Sequence, residues 1–501
     1  MNYNKITYLG ISAGLALSPL QAAKNKQADE KPNVLFIIMD DMNDWIGVLG
    51  GNNQVKTPNL DRLAARGVVF SNAYTAVPLS NPSRAALMTG KQPFVTGVYN
   101  NQHELSKFPE SNNSLFMPQH FKNNGYTTII AGKIFHTKPS NDVLNNMWDD
   151  MKNIDGGYGP WIKNNQLPEH LTQRWTNYEA WTGPDTDFPD VINSQRIVEF
   201  LGEKHEKPFF AAMGFYRPHS PYTAPKRYFD LYPLEEIKQP ALNPDDLNDL
   251  PEYAVNNFLR DRKQIQLLRA EGNYYEQMVR AYLACVSFAD DNIGKILDAL
   301  EKSPYADNTC IVLVGDNGFH HGEKEHWGKT TLWREANHVP FIIAPPRLKN
   351  KIKPAVCESP VGLIDIYPTM VDFCGLSPVQ NQLAGNNLTP LLHKPAMKWD
   401  KPAISTFLPG NFVVHSSNWN YIRYKDGSHE LYNLTSDENE WENLADKPAY
   451  KHIVESLSKY LPTSWHPGAQ TSSPEQMKSP ARRPAMKAPA QRRKPRAARP
   501  I

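Results

Sequence analysis

Four short apolar runs punctuate the chain: Val34-Leu35-Phe36-Ile37-Ile38-Met39, Thr127 to Ala131, Phe209-Phe210-Ala211-Ala212-Met213 and Ile311-Val312-Leu313-Val314. They read as apolar on both faces instead of alternating, the pattern of strands covered on both sides. Between them, Ile192, Ile197, Phe200 and Leu201 share one helical face, and so do Tyr275, Val279, Tyr282, Val286, Ala289, Ile293 and Ile296. This alternation predicts an α/β fold, a large mainly parallel or mixed sheet sandwiched by helices. Such sheets assemble sites where strands deliver their carboxyl ends. Two stretches, Lys138 to Asp190 and Leu231 to Gly272, are polar, rich in Asn, Asp, Pro and aromatics, and too long for plain connections. They read as walls that select a substrate.

After Pro402 the pattern changes to short strands, Phe412-Val413-Val414, Tyr421 to Tyr424 and Glu430-Leu431-Tyr432, with Asp426-Gly427 as a hairpin signal and a helix around Tyr450 to Leu461. At the other end, Lys5, the apolar Ile6 to Leu17 and Leu20-Gln21-Ala22 have the form of an export signal. The expected organisation is therefore a signal peptide at 1–23, a catalytic α/β domain at 24–400, a small antiparallel sheet with a helix at 401–466, and a basic Pro/Ala-rich tail at 467–501. This places the protein in the periplasm or outside the cell. No segment reaches the roughly 20 apolar residues of a membrane span.

Charge adds one asymmetry. The 501 residues carry 54 Lys+Arg against 52 Asp+Glu, a formal +2. Nine of the basic residues and one acid lie in the tail, which leaves 45 basic against 51 acidic residues before it. A mildly acidic body argues against nucleic acid as partner; the tail reads either as a solvated extension or as an adhesive for an acidic surface. Four cysteines, Cys285, Cys310, Cys357 and Cys374, allow at most two disulfides and match no metal module; buried free thiols fit Cys285 and Cys310 equally well.

Chemistry gathers at strand ends. Asp40-Asp41 closes the first run and Asp316-Asn317 the fourth, so neighbouring strands would bring two oxygen-bearing pairs together. That donor set suits calcium or magnesium better than zinc. Asp290-Asp291, by contrast, lies mid-helix and reads as a solvated face or a cap. Ser80-Asn81-Pro82-Ser83-Arg84 opens a helix that ends at Gly90 and puts Ser80 at its tip, where free N–H groups favour an anion. By itself this is an ordinary N-capping serine.

Ser80-x-Pro82-Ser83-Arg84 with Thr89-Gly90 resembles the signature of type I sulfatases, in the alkaline-phosphatase-like superfamily, whose first position is oxidised to formylglycine. The resemblance covers most of the chain: Asn33 to Asp41, Thr57 to Ala64, Gly132-Lys133 with His136, Arg217-Pro218-His219, Asp316 through Glu323 to Lys329, and Glu430 to Leu434 with Glu442-Asn443-Leu444. Within the family, the Gly132 to His136 and Tyr216 to Tyr232 regions look most like iduronate 2-sulfatases, although Lys324 stands where those enzymes carry a His. Ser in place of the common Cys implies maturation by the radical-based, oxygen-independent route, or a replaced Cys that leaves the enzyme inactive.

The resemblance implies a metal set of Asp40, Asp41, Asp316, Asn317 and the residue at position 80, calcium ahead of magnesium. It implies a formylglycine-generating maturation enzyme as partner. The hydrated aldehyde would attack sulfur, expel the sugar alcohol and then eject sulfate. Arg84, Lys133 and Lys329 would supply positive charge. His219 would protonate the leaving oxygen and His136 would act as base, roles that can be exchanged. His320, His321 and His326 either line a sugar pocket or decorate a loop, and Asn100 to His103 are placed to touch the sugar. The expected activity is removal of sulfate from a carbohydrate, with oligosaccharides of a sulfated, uronic-acid-containing polysaccharide favoured. Two other readings stay open: a phosphoesterase of the same superfamily, and a catalytically inactive glycan-binding homologue.

Overall fold

The computed structural model describes residues 31–151, 156–160, 167–259, 261–347 and 352–468. The expected signal peptide and all but the first two residues of the basic tail lie outside them. The central sheet has seven strands: β1 (Asn33–Asp40), β2 (Val68–Phe70), β3 (Thr127–Gly132), β4 (Phe209–Pro218), β5 (Thr309–Gly315), β6 (Phe341–Ala344) and β7 (Ala355–Cys357). Their spatial order is β7-β2-β6-β5-β1-β4-β3. Only β6 runs against its neighbours. The four strands expected from the apolar runs form one contiguous block, with Ile37 of β1 between Met213 of β4 and Leu313 of β5.

Side chains of β1 alternate between two apolar layers. Leu35, Ile37 and Met39 enter one, with helix α4 (Tyr274–Lys302); Val34, Phe36 and Ile38 enter the other, with Leu87 and Met88 of helix α2 (Ser80–Thr89). Both sheet faces are thus covered, which explains the unbroken apolar runs. Strands β2, β6 and β7 escape a reading by pattern because they are three or four residues long and complete the sheet only by long-range pairing.

Packing alters several expectations. Ile192 of helix α3 (Pro189–Gly202) faces outward while Ile197, Phe200 and Leu201 are buried. Asp290 is not a solvated face. It is buried on α4 and accepts from the N–H groups of Asn59 and Leu60, at 3.2 and 2.8 Å, in the first turn of helix α1 (Pro58–Ala64). It caps a neighbouring helix, a contact that no local pattern reveals. Cys285, Cys310 and Cys357 are buried free thiols, and Cys374 is buried as well. No helix among the described residues is long and apolar enough to cross a membrane.

The C-terminal region forms a four-stranded antiparallel sheet, β8 (Ala403–Thr406), β9 (Phe412–His415), β10 (Trp419–Arg423) and β11 (His429–Asn433), followed by helix α5 (Lys451–Ser458). Gly427, with φ +94°, turns the β10–β11 hairpin as Asp426-Gly427 predicts. Trp333 donates to Glu430 at 2.8 Å across the junction with the main body.

Candidate active site

The parallel pairing of β1 with β5 places Met39 beside Gly315, so both acidic pairs emerge at one sheet edge. The strand ends are interlocked: Asp316 N–H donates to Met39 O at 2.9 Å, Asp41 N–H to Asp316 Oδ1 at 3.0 Å, and His219 N–H to Asp40 O at 3.1 Å. Asp41 takes a left-handed backbone conformation, φ +62°, uncommon for a residue with a side chain and typical of strain held at a working site. Tyr282 of α4 pins it by donating to its carbonyl at 2.9 Å.

Carboxylate oxygens of Asp40, Asp41 and Asp316 lie within 4.8 Å of one another, and all three residues are buried. Asn317 turns its Nδ2 to Asp41 Oδ1 at 2.9 Å and its Oδ1 toward Ser80 Oγ at 3.3 Å. Ser80 is not the helix cap. Leu79 occupies that position, and Ser80 Oγ points away from the helix to Asp40 Oδ1 at 2.9 Å.

Three cations answer the three carboxylates. Lys133 pairs with Asp40, and Lys329 with Asp41 while reaching Ser80 Oγ at 3.2 Å. Burial works against both ammonium charges, but the facing carboxylates overcome it and hold each above the ordinary lysine value. Arg84 Nε donates to Asp316 Oδ2 at 2.7 Å, with its Nη1 on the Lys133 carbonyl. Its fully buried Nη2 has no hydrogen-bond partner among the described residues and sits 3.6 Å from Asp40. Burial pushes the Asp316 carboxyl up to about 6, with Arg84 opposing and Asp40 and Asp41 adding to the rise. With formal charges of three on each side, a divalent cation would leave the site net positive, as an anionic ester requires. The all-oxygen, buried donor set fits calcium or magnesium.

His219 holds its ring by Nδ1, which donates to Ser220 O at 2.5 Å, and turns Nε2 toward Asp41 Oδ2 at 3.7 Å. Burial takes its pKa down to about 4 against the pull of Asp41. His136 is taken down to about 2 by burial and the Lys133 charge, and its buried Nδ1 has no hydrogen-bond partner among the described residues.

Other expectations change. Lys324 does not enter the site. It is buried against Asp246 at 2.6 Å and the Glu440 carbonyl at 2.5 Å, joining the 231–272 stretch to the C-terminal region. His320, His321 and His326 neither line an open pocket nor decorate a surface loop, because all three are buried. His321 stacks on Trp45, and His326 Nε2 donates to the Lys329 carbonyl at 2.8 Å, which steadies Lys329. Asn101 accepts from Asn81 N–H at 2.9 Å, and Asn81 Nδ2 donates to the carbonyls of Asn100 and His103, so this turn braces the tip of α2.

One side chain beside Ser80's partners escapes the sequence reading. Tyr158, from the 138–190 stretch, accepts from Lys133 Nζ at 3.2 Å and lies over the His219 ring at 4.5 Å. An isolated Gly-Tyr-Gly between polar segments carries no motif that would single it out.

The family model for Sulfatase matches residues 32–376, and that for the C-terminal part of N-sulphoglucosamine sulphohydrolase matches 322–465. A sulfatase of Formosa agariphila is 36% identical over 467 residues, with 90% of each chain covered. Human iduronate 2-sulfatase is 30% identical over 362 residues, covering 66% of this chain and 64% of that one. The fold also superposes on a phosphonate monoester hydrolase of Silicibacter pomeroyi, with TM-score 0.70 at 20% identity and coverage of 86% of this chain and 94% of the other. The chain belongs to the sulfatase family and is a sulfuric ester hydrolase.

Proposed function

We propose that this protein is an exported sulfatase that removes sulfate from 2-O-sulfated uronic-acid residues of polysaccharide-derived oligosaccharides, after oxidation of Ser80 to formylglycine and with calcium bound. The observation that carries the reading is the position of Ser80 Oγ, between Asp40 Oδ1 at 2.9 Å, Lys329 Nζ at 3.2 Å and Asn317 Oδ1 at 3.3 Å. Likeness to human iduronate 2-sulfatase supports the sugar class.

Asp40, Asp41, Asp316, Asn317 and position 80 would hold the cation, which supplies positive charge to sulfate oxygens; the aldehyde hydrate at position 80 supplies the nucleophile. The other groups have distinct tasks. Lys133 and Lys329 turn from their carboxylates to the ester oxygens as charge shifts in the transition state. Arg84 remains behind, fixing Asp316 and the Lys133 backbone. His219 and His136 would divide the proton transfers, to the leaving oxygen and from the position-80 hydroxyl, in exchangeable roles; Asp41 favours an imidazolium on His219 against the burial that opposes it, whereas burial and the Lys133 charge both disfavour one on His136.

Protein produced with a formylglycine-generating enzyme tests this reading. The Ser80 peptide should lose two hydrogens, and calcium-loaded protein should release sulfate from 2-O-sulfated uronic-acid oligosaccharides. The N-terminus of exported protein should lie at Lys24, after the signal peptide at 1–23. No release from any sulfated glycan, with hydrolysis of a matched aryl phosphate instead, would replace the reading with a phosphoesterase.

A further inference from the structure

We propose that Tyr158 is a substrate-binding residue, whose phenolic O–H donates to a non-bridging oxygen of the bound sulfate ester. The inference rests on the sulfatase reading above and adds a neutral donor to its charged pocket.

An ammonium group has only protons to give, so in the contact between Lys133 Nζ and Tyr158 at 3.2 Å the phenol oxygen must accept. The phenol's own proton therefore points elsewhere, and among the described residues no acceptor receives it. Donation by a buried cation polarises the O–H and makes it a stronger donor. A sulfate ester next to Lys133 would present the acceptor that the protein lacks.

The ring is held in place as a binding group needs. One face meets the His219 imidazole at 4.5 Å, and Tyr216 packs edge-on at 5.2 Å. The backbone is anchored by Arg217, a fully buried guanidinium that gathers three carbonyls: Tyr158 O through Nη2, Thr223 O at 2.8 Å and His219 O at 3.2 Å. Asp190 in turn fixes Arg217 by accepting its N–H at 2.9 Å. Gly157 and Gly159, at φ +70° and +79°, supply the backbone bends on either side of Tyr158, where a side chain would be strained. A segment from the long polar insertion is thereby tied to the His219 turn, with Tyr158 left half-exposed.

Tyr158→Phe keeps the ring on His219 and deletes only the hydroxyl. Two series decide the matter in the full-length protein. Calorimetric titration of calcium-loaded protein with inorganic sulfate should show affinity weakened about 10-fold in Y158F, the effect of one lost hydrogen bond to an anion, at an unchanged melting temperature. In matured protein the KM for 4-nitrophenyl sulfate should rise by about the same factor while kcat stays within about twofold, the mark of lost binding common to ground and transition states. Sulfate affinity of Y158F within about twofold of wild type, or a wild type that binds no sulfate, overturns the inference. A matured wild type that cleaves no sulfate ester defeats the functional reading alone, and the sulfate titration still judges Tyr158.

Discussion

Ser80 Oγ donates to Asp40 Oδ1 across 2.9 Å, in place of capping the helix that it opens. A serine spent on its own helix would leave the carboxylate edge of the sheet without a hydroxyl beside it. Here the tip of α2 presents its side chain to a carboxylate from the central strand. Replacing Ser80 by Ala should abolish sulfate release, because no formylglycine can form. The melting temperature should stay within about 2 °C, since one small side chain leaves and the helix keeps its Leu79 cap. Residual release above that of buffer would remove position 80 from the chemistry.

The carboxylate cluster predicts a dependence on metal that can be read without turnover. Calcium at 100 times its dissociation constant should stabilise the protein by about 2.7 kcal/mol, seen as a rise in melting temperature after chelation and re-addition. Asp316→Asn removes one of three clustered carboxylates and should shrink that rise, while the fold persists through the Asp316 carbonyl contacts to Thr75 and Ser83. An equal calcium shift in wild type and Asp316→Asn would place the cation elsewhere.

Backbone approach at the edge of the sheet yields a third expectation. Where β3 and β4 part, a Cβ on Gly214 would run into the carbonyl of Lys133, and one on Gly132 would run into the carbonyl of Gly214. Gly214→Ala must move the segment that carries Lys133. It should cost about 3 kcal/mol in denaturant unfolding and lower turnover with it. Ala at Gly125, which has open space, adds no steric clash and serves as the comparison, although its φ of +86° adds backbone strain. A Gly214→Ala protein as stable as wild type would mean that the strands slide freely.

The parts of the fold legible in the sequence are those fixed by local pattern. The runs that became β1, β3, β4 and β5 needed only their double-sided apolarity, and Asp40 and Asp316 needed only their place at the ends of two of them. What stayed hidden depends on contacts between distant segments. Asp290 reads as a solvated helix face or a cap, and which helix it caps stays hidden because its partners, Asn59 and Leu60, lie on another helix. Lys324 lies in the segment that resembles the family's second metal segment, yet the charge of Asp246 draws it into the junction. Tyr158 lies in a stretch whose function was expected but whose contributing residue was set by the Arg217 clamp, and nothing in a lone tyrosine reveals that anchor.

His415 gives a test of stability against pH at the junction of the two regions. Its ring stacks on Tyr74 at 3.8 Å, its Nδ1 donates to Asn420 Oδ1 at 2.8 Å, and burial takes its pKa down to about 3 despite that bond. In the unfolded chain the imidazole returns to about 6.5. Between those values the unfolded state binds the extra proton, so the stability that His415 contributes is complete above pH 6.5 and is lost as the pH falls toward the folded value. His415→Gln removes the titrating group and retains hydrogen-bonding capacity toward Asn420. Unfolding free energies measured from pH 7.5 down to 4.5 should therefore decline less steeply in the variant, by about 1.4 kcal/mol per pH unit below 6. Parallel curves for variant and wild type would show that this histidine is already protonated in the folded protein, and that the junction is more open to water than its packing implies.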